Sequence, residues 1–315
     1  MAELALILGN GFDLDMGLPS RYSDFAESNE FKAIVKKVSD IYNEKERAKS
    51  LILQLKRAYM VSNWFDIEEE IHKYVISNTT LDNQMLGFIR SEFNDLKKAL
   101  YDYLLRITTN FTANKEKLSA SLIYHLEECP LTALEIYFNY TSPSGFLRLP
   151  LRPEIFKGVQ HWFTFVHGSL RNNDIVLGCD LQEEKVNRQL SFLYKYNMLN
   201  KANHVARNLL EAKEIIFFGH SINEMDFGYF REFFKEASTA PDPIRHLTII
   251  TYDEESERTI KDNIRNQGIS VTDLYNNLWT FDFIHTKNVY DGNEEEIKKW
   301  NGMIARVLAK DRHGV

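Results

Sequence analysis

The sequence predicts an α/β protein with a mainly parallel sheet, on three observations. Short apolar runs recur along the chain. Several of them stop at glycine or at a small polar residue. The long stretch between the first two runs is helical in character. Leu4–Leu8 is the first run, and it ends at Gly9-Asn10-Gly11 as a buried strand entering a tight turn does. Glu135–Phe138, Trp162–Val166, Ile175–Leu177, Glu214–Phe218, His246–Thr251 and Thr280–Ile284 are read as further strands. Runs that are apolar on both faces suit parallel strands covered by helices on each side. Pro241-Asp242-Pro243 reads as a sharp turn before the strand at His246.

Between the first two strands the pattern changes. Phe31–Met60 is charged and helix-periodic, a helix is expected to begin near Trp64, Asp66 and Glu68, and Leu118–Glu128 reads as one more helix. Leu81, Met85, Phe88, Ile89, Phe93, Leu96, Leu100 and Leu104 fall on one helical face. The expected organisation is a single domain, residues 1–315. Its core is Rossmann-like, and a helical insertion over residues 26–130 covers the ligand edge or offers a partner surface. Repeats and low-complexity segments are absent from the sequence.

Composition narrows the function classes. The chain has 315 residues, 44% of them hydrophobic, and a formal net charge of −7 with both signs mixed along it. No basic stripe marks a dedicated nucleic-acid binder. Cys129 and Cys179 sit in no C-x-x-C or Cys/His pattern, so neither a disulfide framework nor a zinc site is expected. The N-terminus lacks the basic start and long apolar core of a signal peptide. No apolar run approaches the roughly 18 residues that span a bilayer. The expectation is a cytoplasmic protein with no membrane partner.

Four strand exits carry the chemistry. At Gly9-Asn10-Gly11-Phe12-Asp13, glycines directly after the first strand let backbone N–H groups approach a pyrophosphate. The third glycine of the dinucleotide fingerprint is missing, with Leu14 in its place. If this is the phosphate cradle, Gly11→Val should abolish dinucleotide binding and leave the fold intact. Asp13 and Asp15 suit either ligand contact or helix capping. At Phe138-Asn139-Tyr140-Thr141, Asn139 suits a water or a ribose hydroxyl, or a turn cap. At Val166-His167-Gly168, a histidine stands at a strand's carboxyl end, and Gly168 leaves room beside the imidazole. At Gly219-His220-Ser221-Ile222-Asn223-Glu224-Met225-Asp226, Ser221 or Asn223 is read as the cap of a helix beginning near Met225. Asp226 is favourably placed there, and the same N–H groups suit a phosphate or ribose. In a parallel sheet all these ends meet at one edge.

These motifs, taken in order, resemble one family. Gly9-Asn10-Gly11-Phe12-Asp13 is followed by Gly17-Leu18-Pro19 and Tyr22-Ser23-Asp24-Phe25. Trp64-x-Asp66-x-Glu68, Phe138-Asn139-Tyr140-Thr141, Val166-His167-Gly168 and Phe218-Gly219-His220-Ser221 with Asp226 complete the series. The chain resembles the AbiH family of phage abortive-infection proteins, which is distantly similar to sirtuin-type NAD-binding domains. The resemblance implies an antiviral effector. It sets Asn139 and His167 on the catalytic Asn and His of sirtuin-like NAD hydrolases. Gly9, Asn10, Gly11, Phe12, Asp13, Gly168, Gly219, His220, Ser221 and Asp226 are then the binding residues. NAD or NADP is the implied substrate or ligand, with no metal. Thr141 departs from the pattern, because the sirtuin motif has an acid two residues after its Asn.

Four readings stand at this point. The first is an NAD(P) glycohydrolase that cuts the nicotinamide–ribose bond. The second is a nucleotide-binding sensor without turnover. The third is a metal-dependent hydrolase or nuclease using Asp13, Asp15, His167, His220 and Asp226. The fourth is a helical interaction protein scaffolded by the sheet. A phage-derived or protein trigger and homo-oligomerisation are left open.

Overall fold

A computed structural model gives the fold. It describes residues 2–61, 66–78, 80–109, 111–142, 155–156, 159–179, 188–195 and 203–309. The sheet contains β1 (Leu4–Leu8), β2 (Ala133–Tyr137), β3 (Ile155–Phe156), β4 (Val159–Phe165), β5 (Glu214–Phe218), β6 (Asp242–Thr251) and β7 (Leu278–His285), in the order β3-β4-β2-β1-β5-β6-β7. All neighbours pair in parallel except the two-residue β3, which is antiparallel to β4. The parallel strands, taken in chain order, therefore stand third, second, first, fourth, fifth, sixth, as in dinucleotide-binding α/β folds. The order reverses between β1 and β5. The register pairs Leu8 with Tyr137 on one side and with Phe218 on the other, so three strand exits leave the sheet side by side.

The central strands form because their residues are apolar on both faces. Every residue of β1, β2 and β5 is buried. β4 departs from that expectation, with Trp162 40% and Phe163 64% exposed. Its outer neighbour is only two residues long. Two other readings are corrected. Ile175–Leu177 is not a strand. Positive φ at Asn173 (53°) and Gly178 (151°) bends the backbone at both ends, and the Val176 N–H donates to the His167 carbonyl at 2.8 Å. Asp242-Pro243 is not a turn but the start of β6. Pro243 is tolerated because it falls where the pairing with β7 slips between Asp242 and His246, so no ladder bond is asked of its missing N–H.

Contacts divide the chain into two compact units. The first comprises Met1–Leu18, Thr112–Val166 and Asn200–Val315, and it contains the sheet. The second comprises Pro19–Phe111 and His167–Leu199. In the second, the charged stretch from Phe31 resolves into helices at Asn29–Ile41, Glu44–Lys49 and Leu51–Val61. Ser28 and Asn43 cap the first two of these. Asn83–Thr109 buries Met85, Ile89, Phe93, Leu96, Leu100 and Leu104 on its inner face, as the periodicity predicts. Buried Glu92 caps Leu51–Val61, accepting from the Ile52 N–H at 2.8 Å and the Ser50 hydroxyl at 2.9 Å. Ile67–Ser77 is capped by Asp66, which accepts from the Glu68 N–H at 2.8 Å. Glu68 pairs with buried Lys195 at 2.7 Å, so the acidic motif is fixed in the second unit by an ion pair. Trp64 lies outside the described residues.

Candidate functional site

The exits of β1 and β5 pack backbone against backbone. The Gly9 N–H donates to the Phe218 carbonyl at 3.0 Å, and the Gly11 N–H donates to the Gly219 carbonyl at 2.9 Å. A Cβ on Gly9 would stand 2.6 Å from Gly219 O, and one on Gly11 would stand 2.7 Å from Gly219 Cα. The glycines are therefore required by each other. The expectation that Gly11→Val leaves the fold intact is corrected on this ground. The short helix Asn10–Met16 starts here, and its Phe12 N–H is committed to the Gly9 carbonyl. Phe12 itself is core, edge-on to Phe218 at 5.2 Å.

The β5 exit is tightly held. Gly219 and Ile222 both take positive φ, 64° and 50°. For a buried β-branched residue that is strained backbone, of the kind that collects at functional sites. The Ile222 N–H donates to His220 Nδ1 at 2.9 Å, which assigns the neutral ring's proton to Nε2. Nε2 faces Asp226 Oδ2 at 3.6 Å, and the ring packs against Phe138 at 4.4 Å. The helix expected near Met225 is replaced by a turn, a 3-10 segment at Phe227–Tyr229 and a helix from Arg231. Asn223 supports the turn by accepting from the Asp226 N–H at 3.0 Å. Ser221 is exposed, and its carbonyl accepts from Asn263.

The β2 exit completes a polar cluster with the β1 exit. Asp13 is 1% and Asn139 6% exposed. The Thr141 hydroxyl donates to Asp13 Oδ2. Among the described residues, Asp13 Oδ1 and both polar atoms of the Asn139 amide have no hydrogen-bond partner. Leaving such a group unpaired inside a protein costs about 1–3 kcal/mol, so three together need a reason. Burial pushes the Asp13 carboxyl from 3.8 up to about 6. Thr141 and, less strongly, the Asn139 amide pull it back, although Asn139 reaches hydrogen-bond geometry with no described group.

This shift has a consequence for stability. The raised value means that the folded state holds its proton more tightly than the unfolded chain. Asp13 therefore favours folding below pH 4, and that contribution is lost as pH rises through about 6. A shift of about two units is worth roughly 3 kcal/mol. Unfolding free energies of wild type and Asp13→Asn from urea titrations, compared from pH 4 to 7, should diverge by about that amount in favour of the variant. A difference that does not change with pH would contradict the burial argument.

His167 and Gly168 fall in the second unit. His167 is buried, two residues beyond the end of β4. Gly168 has a positive φ of 76°, and a Cβ there would meet the Asp174 carbonyl oxygen at 1.9 Å. The turn itself explains this glycine, with the Ser169 N–H donating to Asp174 Oδ1 at 2.7 Å.

Of the donors of the metal reading, His220 and Asp226 approach each other, at 3.6 Å. Asp15 accepts from the Ser119 N–H and hydroxyl and from the Tyr290 hydroxyl. Among the described residues no group of three His, Cys, Asp or Glu side chains could hold a metal ion. No helix among them is long and apolar enough to cross a membrane. A polar cleft of about 530 Å³ lies elsewhere in the first unit, lined from Glu254–Asn266 and Glu294–Leu308. Its buried groups are paired: His285 Nε2 lies 2.7 Å from Glu257, and Glu296 accepts from the His285 N–H and from Lys299. Among the described residues of the first unit, the buried side-chain atoms without a partner are at Asp13 and Asn139.

Sequence reasoning named Asp13 and Asn139 but missed the bond between Asp13 and Thr141. The two positions are 128 residues apart and meet only through the pairing of β1 with β2. Comparison with known proteins adds the family. No curated protein matches. The family model described as Bacteriophage abortive infection AbiH matches residues 5–244, a span that holds all four exits and most of the sheet. With that match covering most of its length, the chain belongs to the AbiH family of bacteriophage abortive-infection proteins.

Proposed function

We propose that this protein acts in abortive infection by binding NAD or NADP at the carboxyl edge of its sheet and hydrolysing the nicotinamide–ribose bond. The observation that carries the reading is the buried Asp13–Asn139–Thr141 cluster, with its unpartnered polar atoms, beside the β1–β5 reversal. Open α/β sheets bind their ligands at that reversal. Nicotinamide departs as a neutral molecule from a cation, through an oxocarbenium-like state. No strong general acid is required. A positioned amide and a base for water or a ribose hydroxyl suffice. Asn139 supplies the amide, which donates and accepts at once. His167 is the base that the family resemblance names.

The test is incubation of purified protein with NAD and with NADP, alone and with lysate of phage-infected cells, reading nicotinamide release. Release from either dinucleotide supports the reading. Tight binding with no release under any condition makes the protein a sensor. Neither binding nor release overturns both.

A further inference from the structure

We propose that Asp13 is a catalytic proton acceptor of this site, its carboxylate fixed by the Thr141 hydroxyl and set to take the proton of the attacking water. The assignment rests on the NAD(P)-cleavage reading and adds to it an acid–base group drawn from the β1 exit. Three observations carry it. Asp13 comes from the short helix Asn10–Met16 that follows β1 and Thr141 from the exit of β2, so the bond between them ties two neighbouring strand ends together. That bond uses Oδ2 alone. Asp13 Oδ1 is the one carboxylate oxygen at these exits that is buried without a partner among the described residues. Beside it stands an Asn139 amide whose oxygen and nitrogen are equally unpartnered.

The neighbouring groups are engaged otherwise. Asp15 is held by Ser119 and Tyr290. His220 has its Nδ1 lone pair on the Ile222 N–H and its Nε2 facing Asp226. The sequence places Thr141 where the sirtuin motif has an acid, and the fold brings Asp13 to that threonine's hydroxyl.

The chemistry balances without a metal or an oxidant. The bond from ribose C1′ to the nicotinamide nitrogen breaks, and its electron pair leaves on the nicotinamide. A water oxygen bonds to C1′. The water's proton passes to the Asp13 carboxylate and from there to solvent, giving ADP-ribose, nicotinamide and one proton. A carboxyl pushed up by burial to about 6 is ionised near pH 7 yet basic enough to accept a proton.

The test is the pH dependence of nicotinamide release from NAD by wild type, Asp13→Asn and Thr141→Val. Asp13→Asn should lower kcat by on the order of 10²–10⁴-fold and change KM far less. Thr141→Val removes a hydrogen bond to the ionised form, so the acid limb of its kcat profile should move to higher pH. A purely structural threonine would lower the melting temperature and leave that limb in place. If Asp13→Asn does not fold, the Thr141→Val limb decides. An active wild type with an unmoved limb, or an Asp13→Asn variant of undiminished kcat, overturns the assignment alone. A wild type that releases no nicotinamide overturns the cleavage reading and this assignment with it.

Discussion

Asn139→Ala should remove nicotinamide release by on the order of 10²–10⁴-fold while dinucleotide binding survives, and the variant should melt no lower than wild type by more than a few degrees. The rate loss is what a positioned polar group typically contributes. The stability expectation follows from the same geometry. Asn139 is buried, and neither amide atom has a partner among the described residues, so truncation removes an unsatisfied group and no bond. Unpaired polar groups of this kind destabilise a fold, and sites that keep them trade stability for function. The two readouts, release and melting, must therefore separate. An inactive Asn139→Ala that is also strongly destabilised would make the residue structural. An active one would remove it from the mechanism. His167→Ala, run in parallel, should be as inactive if His167 is the base. A fast His167→Ala would discard that role and leave Asn139 standing. Substitution of Ser221 or Asp226, on another exit, should weaken binding more than turnover.

Much of this arrangement was legible in the sequence, because strand and turn chemistry are local. Leu4–Leu8 and Glu214–Phe218 read as buried strands from their residues alone, and Leu118–Glu128 as a helix. The failures have physical causes. Ile175–Leu177 is apolar enough for a strand, but the backbone at Asn173 and Gly178 denies it a ladder. Pro243 signals a turn, but a slip in pairing lets it sit at the start of a strand. Gly9 and Gly11 signal close approach, and close approach is what they provide. Sequence cannot tell whether the approaching group is a phosphate or, as here, the backbone of Gly219, because both demand the same missing Cβ. The pairs Asp13–Thr141 and Glu68–Lys195 are separated by 128 and 127 residues, and no periodicity reports a contact at that distance.

Gly219→Ala should be the most damaging single-methyl change in the first unit. Its φ of 64° lies in the left-handed region, where a Cβ costs about 1–2 kcal/mol. The added carbon would also stand 2.3 Å from both Gly11 C and Phe12 N, which are backbone atoms that no rotamer change can move aside. Overpacking of this kind costs typically ~1–3 kcal/mol, and here the β1 and β5 exits would have to part. The sum is on the order of 2–5 kcal/mol, a large share of the stability of an ordinary domain. Gly17→Ala is the control. Its φ is also positive, 94°, but nothing lies within 4 Å of its Cβ, so it pays the conformational term alone. Thermal melts of the two variants isolate the packing term as their difference. Gly219→Ala should lose at least about twice as much stability as Gly17→Ala, and any dinucleotide affinity should fall with it. Equal losses in the two variants would mean that the exits of β1 and β5 are not pressed together, and the geometry built around Asp13 and His220 would have to be redrawn.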